Sequence, residues 1–160
     1  MQLSGSQVFT SEFITGLTID QCTELDQKTR NNIVENFLVL LFTELFQFRC
    51  MQTDPNWANF LYNPETKQLG LLDFGATRDY KEKFVKNYFK ILNGAANNLP
   101  DEVLENSIEL GFLTGYESKI MMDAHVESVM ILAQPFRENR IFDYGNQQTT
   151  SRMHELIGKI

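Results

Sequence analysis

Basic residues are scarce: 14 lysines and arginines stand against 21 aspartates and glutamates, a formal net charge of −7 over 160 residues. Such a chain has no basic stripe to neutralise a row of phosphates, which argues against a nucleic-acid surface; the acidity serves mainly solubility. Long apolar runs are missing as well. The longest, Phe37 to Phe42, falls far short of the roughly 20 residues of a membrane-crossing helix. The opening stretch MQLSGSQVFT lacks the basic start and apolar centre of a secretory leader. The two cysteines, Cys22 and Cys50, fit no zinc spacing and make no disulfide framework, so a reducing compartment is the simpler reading. Histidine is equally sparse. His125 and His154 fall on different expected helices with no Asp or Cys at ligand spacing, which leaves them surface or capping roles. Repeats, low-complexity tracts and linkers are absent.

What is present suffices for one globular unit: 42% apolar residues, 12% of the chain being aromatic. Residues 8–14, VFTSEFI, alternate roughly and precede Gly16, which predicts a short strand entering a turn. From Asp26 to Arg49 the period is helical. Ile33, Phe37, Leu41, Leu45 and Phe48 form one stripe, and Val34, Leu38 and Phe42 widen it, so this helix is expected to be central, with Asp26 as its N-cap. NFLY and QLGLLDF, separated by NPETK, read as a β-hairpin. Beyond Tyr80 the chain reads as helices over Lys81 to Asn97, from Asp101, over Glu117 to Gln134, and from about Thr149 to the end, where Gly158 weakens the last. The expected class is mainly α with a small β-hairpin (α+β).

Between the long helix and the hairpin lies MQTDPNWANF. Asp54 is followed five residues later by Asn59, and fourteen residues further Asp73 opens Asp73-Phe74-Gly75. Each piece alone has an ordinary structural reading: Asp-Pro starts turns, an Asn in a loop is solvated, and an isolated Asp-Phe-Gly closes strands. Together they match the order of a protein-kinase catalytic loop and its metal-binding motif. Phosphoryl transfer needs a carboxylate near the attacking oxygen and oxygen ligands that hold magnesium against the phosphates. A hairpin between Asn59 and Asp73 returns the chain so that both can face one cation.

The run MQTDPNWANFLYNPETKQLGLLDFGATRDY, continued by ELGFLTGYESKIMMDAH and FDYGNQQTT, closely resembles the UbiB-type atypical kinase-like family of coenzyme Q (ubiquinone) biosynthesis, including its mitochondrial members. The resemblance covers essentially the whole chain. It implies a protein-kinase-like C-terminal lobe over residues 1–160 without the N-terminal lobe: a hinge region at 1–16, a central helix at 26–50, catalytic loop, hairpin and DFG at 51–80, and a helical subdomain at 81–160. It also implies that Asp54 is the catalytic-loop aspartate, that Asn59 and Asp73 are the Mg2+ ligands, and that the Glu12 carbonyl and Ile14 amide face the adenine edge of ATP. Mg2+ and ATP are the cofactors so implied, ubiquinone-biosynthesis proteins and a lipid or quinone precursor the further partners, and the mitochondrion the location.

The chain also departs from ordinary kinases. Gln52 and Thr53 stand where those carry His-Arg, and no Ala-Pro-Glu follows the DFG, which argues against phosphorylation of a protein substrate; the resemblance itself implies an ATPase or small-molecule kinase more than a protein kinase. Nothing upstream of the hinge supplies a nucleotide-covering loop, a strand lysine, its partner glutamate or the family's KxGQ extension. The helix from 149 also stops in mid-pattern, so both ends are expected to be truncated. A second reading follows: as it stands, the chain is a non-catalytic fragment acting as an interaction module of a biosynthetic complex. Trp57 has two readings, substrate contact or anchor of its loop, and Arg78 reads as a solvated surface residue. Met121, Met122 and Met130 read as core packing, with a lipid or quinone-precursor groove as the alternative.

Overall fold

The computed structural model describes residues 3–157, which form two compact units, one up to Tyr80 and one from Lys81. The architecture is mostly helical with two small antiparallel sheets.

In the first unit, α1 (Gln27–Phe42) starts where Asp26 accepts the Thr29 amide at 3.1 Å and the Thr29 hydroxyl at 2.6 Å, the capping expected from sequence. The helix does not run on to Arg49 as an α-helix. It widens into a π-helix over Thr43–Phe48, which ends on Arg49 in the left-handed region (φ 55°). Burial along it is one-sided: Ile33 and Leu45 are buried and Phe37 half-buried, while Val34, Val39, Leu41 and Phe48 remain exposed, so the expected envelopment on most sides is not found.

The expected hairpin is present. β3 (Phe60–Asn63) pairs antiparallel with β4 (Gln68–Leu71), Phe60 opposite Leu71 and Asn63 opposite Gln68. Its turn is set by Asn63, whose side-chain oxygen accepts the amides of Glu65 (2.9 Å) and Thr66 (3.1 Å). Phe60 and Tyr62 point inward while Leu61 and Asn63 face the other side.

Residues 8–14 form no strand. The strand on that side is β1 (Leu17–Thr18), which pairs with β3 and gives the sheet order β1-β3-β4. Among the described residues the amides of Val8, Phe9 and Phe13 find no backbone partner, and all three side chains lie exposed, Phe9 at 88%. Gly16 explains where pairing begins: a Cβ there would sit 2.8 Å from the Tyr62 carbonyl oxygen, so only glycine lets the backbones close to this distance. A second sheet, unforeseen in the sequence, pairs β2 (Cys50–Gln52) with β5 (Thr77–Asp79), Gln52 opposite Thr77. The core of this unit is Cys22, Ile33 and Tyr62, with Leu17, Ile19, Leu25 and Phe37 packed around them.

The second unit consists of α2 (Glu82–Ala96), α3 (Pro100–Leu110), α4 (Lys119–Leu132) and α5 (Thr149–Ile157), close to the expected spans; the proposed end of the last helix, Gly158 included, lies outside the described residues. α3 begins at Pro100 itself, whose missing amide costs nothing in a first turn. It stops at Gly111 (φ 79°), whose amide turns back to the Ile108 carbonyl. Ile91, Ala95, Val103 and Ala133 make the core, with Leu110, Val126, Val129 and Met130 against it. Met130 therefore packs as expected, whereas Met121 is exposed.

Arg137 ties two helix ends together by donating to the Ala95 carbonyl of α2 (3.3 Å) and the Met130 carbonyl of α4 (2.8 Å). A cation at two carbonyl-rich termini is favourable, and Arg137→Ala is expected to lower the unfolding free energy of this unit by about 2 kcal/mol in urea titrations.

Glu117 organises the loop into α4. Its carboxylate accepts the Thr114 amide (2.8 Å), the Thr114 hydroxyl (2.7 Å) and the Gly115 amide (2.9 Å), which hold its pKa down at about 2. The native state thus favours the ionised form. The resulting stability is complete above the ordinary glutamate pKa of about 4.3 and is lost as pH falls towards the folded value. In urea midpoints measured from pH 6 to pH 2, the advantage of the native protein over Glu117→Gln should be largest above pH 5 and shrink steadily below it.

Candidate functional site

The loop after β2 is built from its own polar residues. Pro55 lacks an amide, and Asn56 then caps a single 3-10 turn, Trp57–Asn59, by accepting the Ala58 amide at 3.0 Å. The Trp57 ring meets Phe37 edge to face at 5.5 Å while staying 53% exposed, so it anchors the loop on α1 with half its surface left to solvent. Phe37 in turn meets Phe60 at 4.8 Å. The turn delivers Asn59 to the first residue before β3.

Asp54 and Asn59 come together. The Asn59 amide nitrogen donates to the Asp54 carboxylate at 3.0 Å and to the Asp54 carbonyl at 3.3 Å. With its NH2 so engaged, Asn59 keeps its Oδ1 as an uncommitted acceptor. Asp73 is joined to this pair through the backbone: the Leu72 amide donates to the Asn59 carbonyl at 2.9 Å, which continues the hairpin register to the residue before Asp73. The Asp73 Oδ1 accepts the Gly75 amide at 2.7 Å, bending the chain out of the hairpin, and Oδ2 remains for another partner. Ala76 then receives both the Thr53 amide (3.3 Å) and the Thr53 hydroxyl (2.7 Å), so the segment after the DFG is stitched to the residue before Asp54.

Among the described residues no three of His, Cys, Asp and Glu stand together as a metal cage. Magnesium does not require one. It is commonly held by one or two carboxylates and completes its six oxygens with water and phosphates, and the Asp73 carboxylate and the Asn59 amide oxygen are hard-oxygen donors of the kind it takes.

Glu12 and Ile14 lie elsewhere in the unit, on the extended segment that borders a cleft of about 690 Å³. Thr15, Leu61, Lys67 and Gly70 are among the other lining residues, and Asp54, Asn59 and Asp73 are not. Ile14 packs over Gly70, its Cγ2 only 3.3 Å from where a Cβ would be. Among the described residues the Glu12 carbonyl and Ile14 amide make no hydrogen bond. An adjoining hollow of about 550 Å³ reaches Leu72, next to Asp73.

Two contributors escaped the sequence reading. Leu61 faces the cleft because β3 alternates, a signal available in Phe60-Leu61-Tyr62. Gln52, noted only as a departure from His-Arg, is 5% exposed and grips the Asp54 peptide from both sides, a role with no trace in residue type. Arg78 on β5 is exposed as expected. His125 is not a surface or capping residue: it is half-buried and its Nε2 lies 2.9 Å from the hydroxyl of the fully buried Ser107, joining α4 to α3. Burial pushes its pKa down, with Glu117 opposing.

The loop, hairpin and DFG turn define the chain as a kinase-like protein. Residues 1–107 match the ABC1 atypical kinase-like domain, and the chain belongs to that family. It is 49% identical over 156 residues to the mitochondrial atypical kinase COQ8B of Danio rerio, covering 98% of this chain and 25% of that protein. Over 156 residues it is 45% identical to the mitochondrial atypical kinase COQ8B of Rattus norvegicus, covering 98% and 30%. The mitochondrial atypical kinase coq-8 of Caenorhabditis elegans is 44% identical over 160 residues, covering 98% and 21%. The chain thus spans about a quarter of the length of these relatives. The UbiB-type resemblance is borne out, and the relatives' mitochondrial names support the mitochondrial location it implies.

Proposed function

We propose that this chain is the kinase-like C-terminal lobe of a mitochondrial atypical kinase or ATPase that supports ubiquinone biosynthesis. The observation that carries the reading is the Asn59 to Asp54 hydrogen bond at the entry of a hairpin whose exit is Asp73. Asp54 would orient the attacking hydroxyl or water and accept its proton, since its residue is exposed and only one of its carboxylate oxygens is bonded, to the Asn59 NH2. Asn59 Oδ1 and the Asp73 carboxylate would hold Mg2+, which when bound neutralises the charge of the ATP phosphates. Glu12 and Ile14 would present their free carbonyl and amide to the adenine edge, over the apolar side of Leu61.

The relatives are named atypical kinases, which supports the reaction class, and they are about four times longer, so activity is assigned to the intact protein. By itself the chain fits the second reading, a non-catalytic fragment acting as an interaction module of a biosynthetic complex. Calorimetric titration with MgATP tests both. The intact protein should bind near micromolar, about −8 kcal/mol, and residues 1–160 alone far more weakly. No binding by the intact protein would overturn the ATP reading; micromolar binding by the short chain would overturn the fragment reading.

A further inference from the structure

A buried amide side chain is rarely left to chance, because each of its polar atoms needs a partner once water is gone. Gln52 is buried, and both ends of its side chain are spent on a single neighbour: Nε2 donates to the Asp54 carbonyl at 2.8 Å, and Oε1 accepts the Asp54 amide at 3.1 Å. The same carbonyl receives the Asn59 side chain at 3.3 Å, and the carboxylate receives it at 3.0 Å. Asp54 therefore stands between two amide side chains, one gripping its backbone from inside and one meeting its carboxylate from outside. Thr53, between Gln52 and Asp54, is fixed to Ala76 by two further bonds.

We propose that Gln52 is a positioning residue for Asp54: by closing a two-point ring on the Asp54 peptide it sets the direction of the carboxylate. The inference rests on the function proposed above. Gln52 touches no reacting atom, so its removal should affect turnover much more than nucleotide affinity, which Asn59 and Asp73 would still supply. A misplacement of about 1 Å at a reacting group costs on the order of 100-fold in rate.

Gln52→Glu separates positioning from mere packing, because it keeps the shape while its protonation state changes its donor capacity and charge. The ionised carboxylate accepts the Asp54 amide but cannot donate to the Asp54 carbonyl; the protonated acid does both. Burial and the neighbouring carboxyls Glu44 and Asp54 raise the pKa of an acid placed there, and Glu44 is itself pushed up by burial and drawn down by the Gln52 backbone amide. The test uses the intact protein with MgATP, measuring kcat, KM and binding for the native form, Gln52→Ala and Gln52→Glu between pH 8 and pH 5. The expected result is a kcat roughly 10- to 100-fold lower for Gln52→Ala with little change in MgATP affinity. The kcat of Gln52→Glu relative to native should climb as pH falls. Amide exchange adds a readout independent of turnover: Gln52→Ala should strip protection from the Asp54 amide and leave the Thr53 amide protected by Ala76. Unchanged kcat in Gln52→Ala, a flat pH ratio for Gln52→Glu, or an Asp54 amide still protected would each overturn the inference. Failure of the native protein to bind or turn over MgATP would instead overturn the function on which it rests, and that is read before any substitution is made.

Discussion

Asp73→Asn in the intact protein is expected to weaken Mg-dependent ATP binding by about 100-fold or more while leaving the fold in place. The reasoning is local. Asn keeps an Oδ1 that accepts the Gly75 amide, now bonded at 2.7 Å, so the turn out of β4 survives. What disappears is the negative charge. Magnesium gives up its water reluctantly and only to strong oxygen donors, and a neutral amide is a poor replacement for the one carboxylate of this set. Loss of groups that merely support a metal's ligands already costs about 10- to 100-fold, which makes 100-fold a floor for a ligand itself. Urea midpoints should match those of the native protein, and nucleotide affinity without Mg2+ should move little. Retained Mg-dependent affinity would contradict the ligand role of Asp73.

Asp54→Asn should show the complementary pattern: turnover lower by roughly 10²- to 10⁴-fold, with MgATP affinity nearly unchanged. The introduced amide oxygen can still accept the Asn59 NH2, so Asn59 keeps its orientation and its Oδ1 stays uncommitted. The side chain can no longer take a proton from a hydroxyl or water. The two variants therefore divide the site into a part that binds and a part that reacts. A single assay pair, calorimetry and single-turnover hydrolysis, reads both. Equal losses of affinity in the two would mean that Asp54 belongs to the metal set instead.

The sequence made the larger features legible for physical reasons that can be named. Asp26, Asn63 and Pro100 act through local bonds or a missing amide, so their effect is visible in a few residues. The helices of the second unit carry a period that survives packing. What stayed hidden depends on distant partners. VFTSEFI looks like a strand, yet β1 lies at Leu17–Thr18, where Gly16 lets the chain close on Tyr62. The β2–β5 pairing joins Cys-Met-Gln to Thr-Arg-Asp, three-residue strands with no alternation to advertise them. The π-helix at Thr43–Phe48 is built only of residue types that also occur in the α-helix it follows. At the candidate site, the approach of Asn59 to Asp54 and the hairpin that leads to Asp73 were legible through spacing and through resemblance. The grip of Gln52 was not, because a glutamine's burial is decided by the fold around it.

The central claim is that the Asn59 amide and the Asp73 carboxylate share one divalent cation beside Asp54. Anomalous diffraction from crystals of the intact protein with Mn2+ and a non-hydrolysable ATP analogue measures this directly. The account predicts a manganese peak about 2.1 Å from both an Asp73 carboxylate oxygen and Asn59 Oδ1, with Asp54 adjoining the γ-phosphate. A manganese ion held by the phosphates alone, with the Asp73 carboxylate turned away from it, would contradict the account.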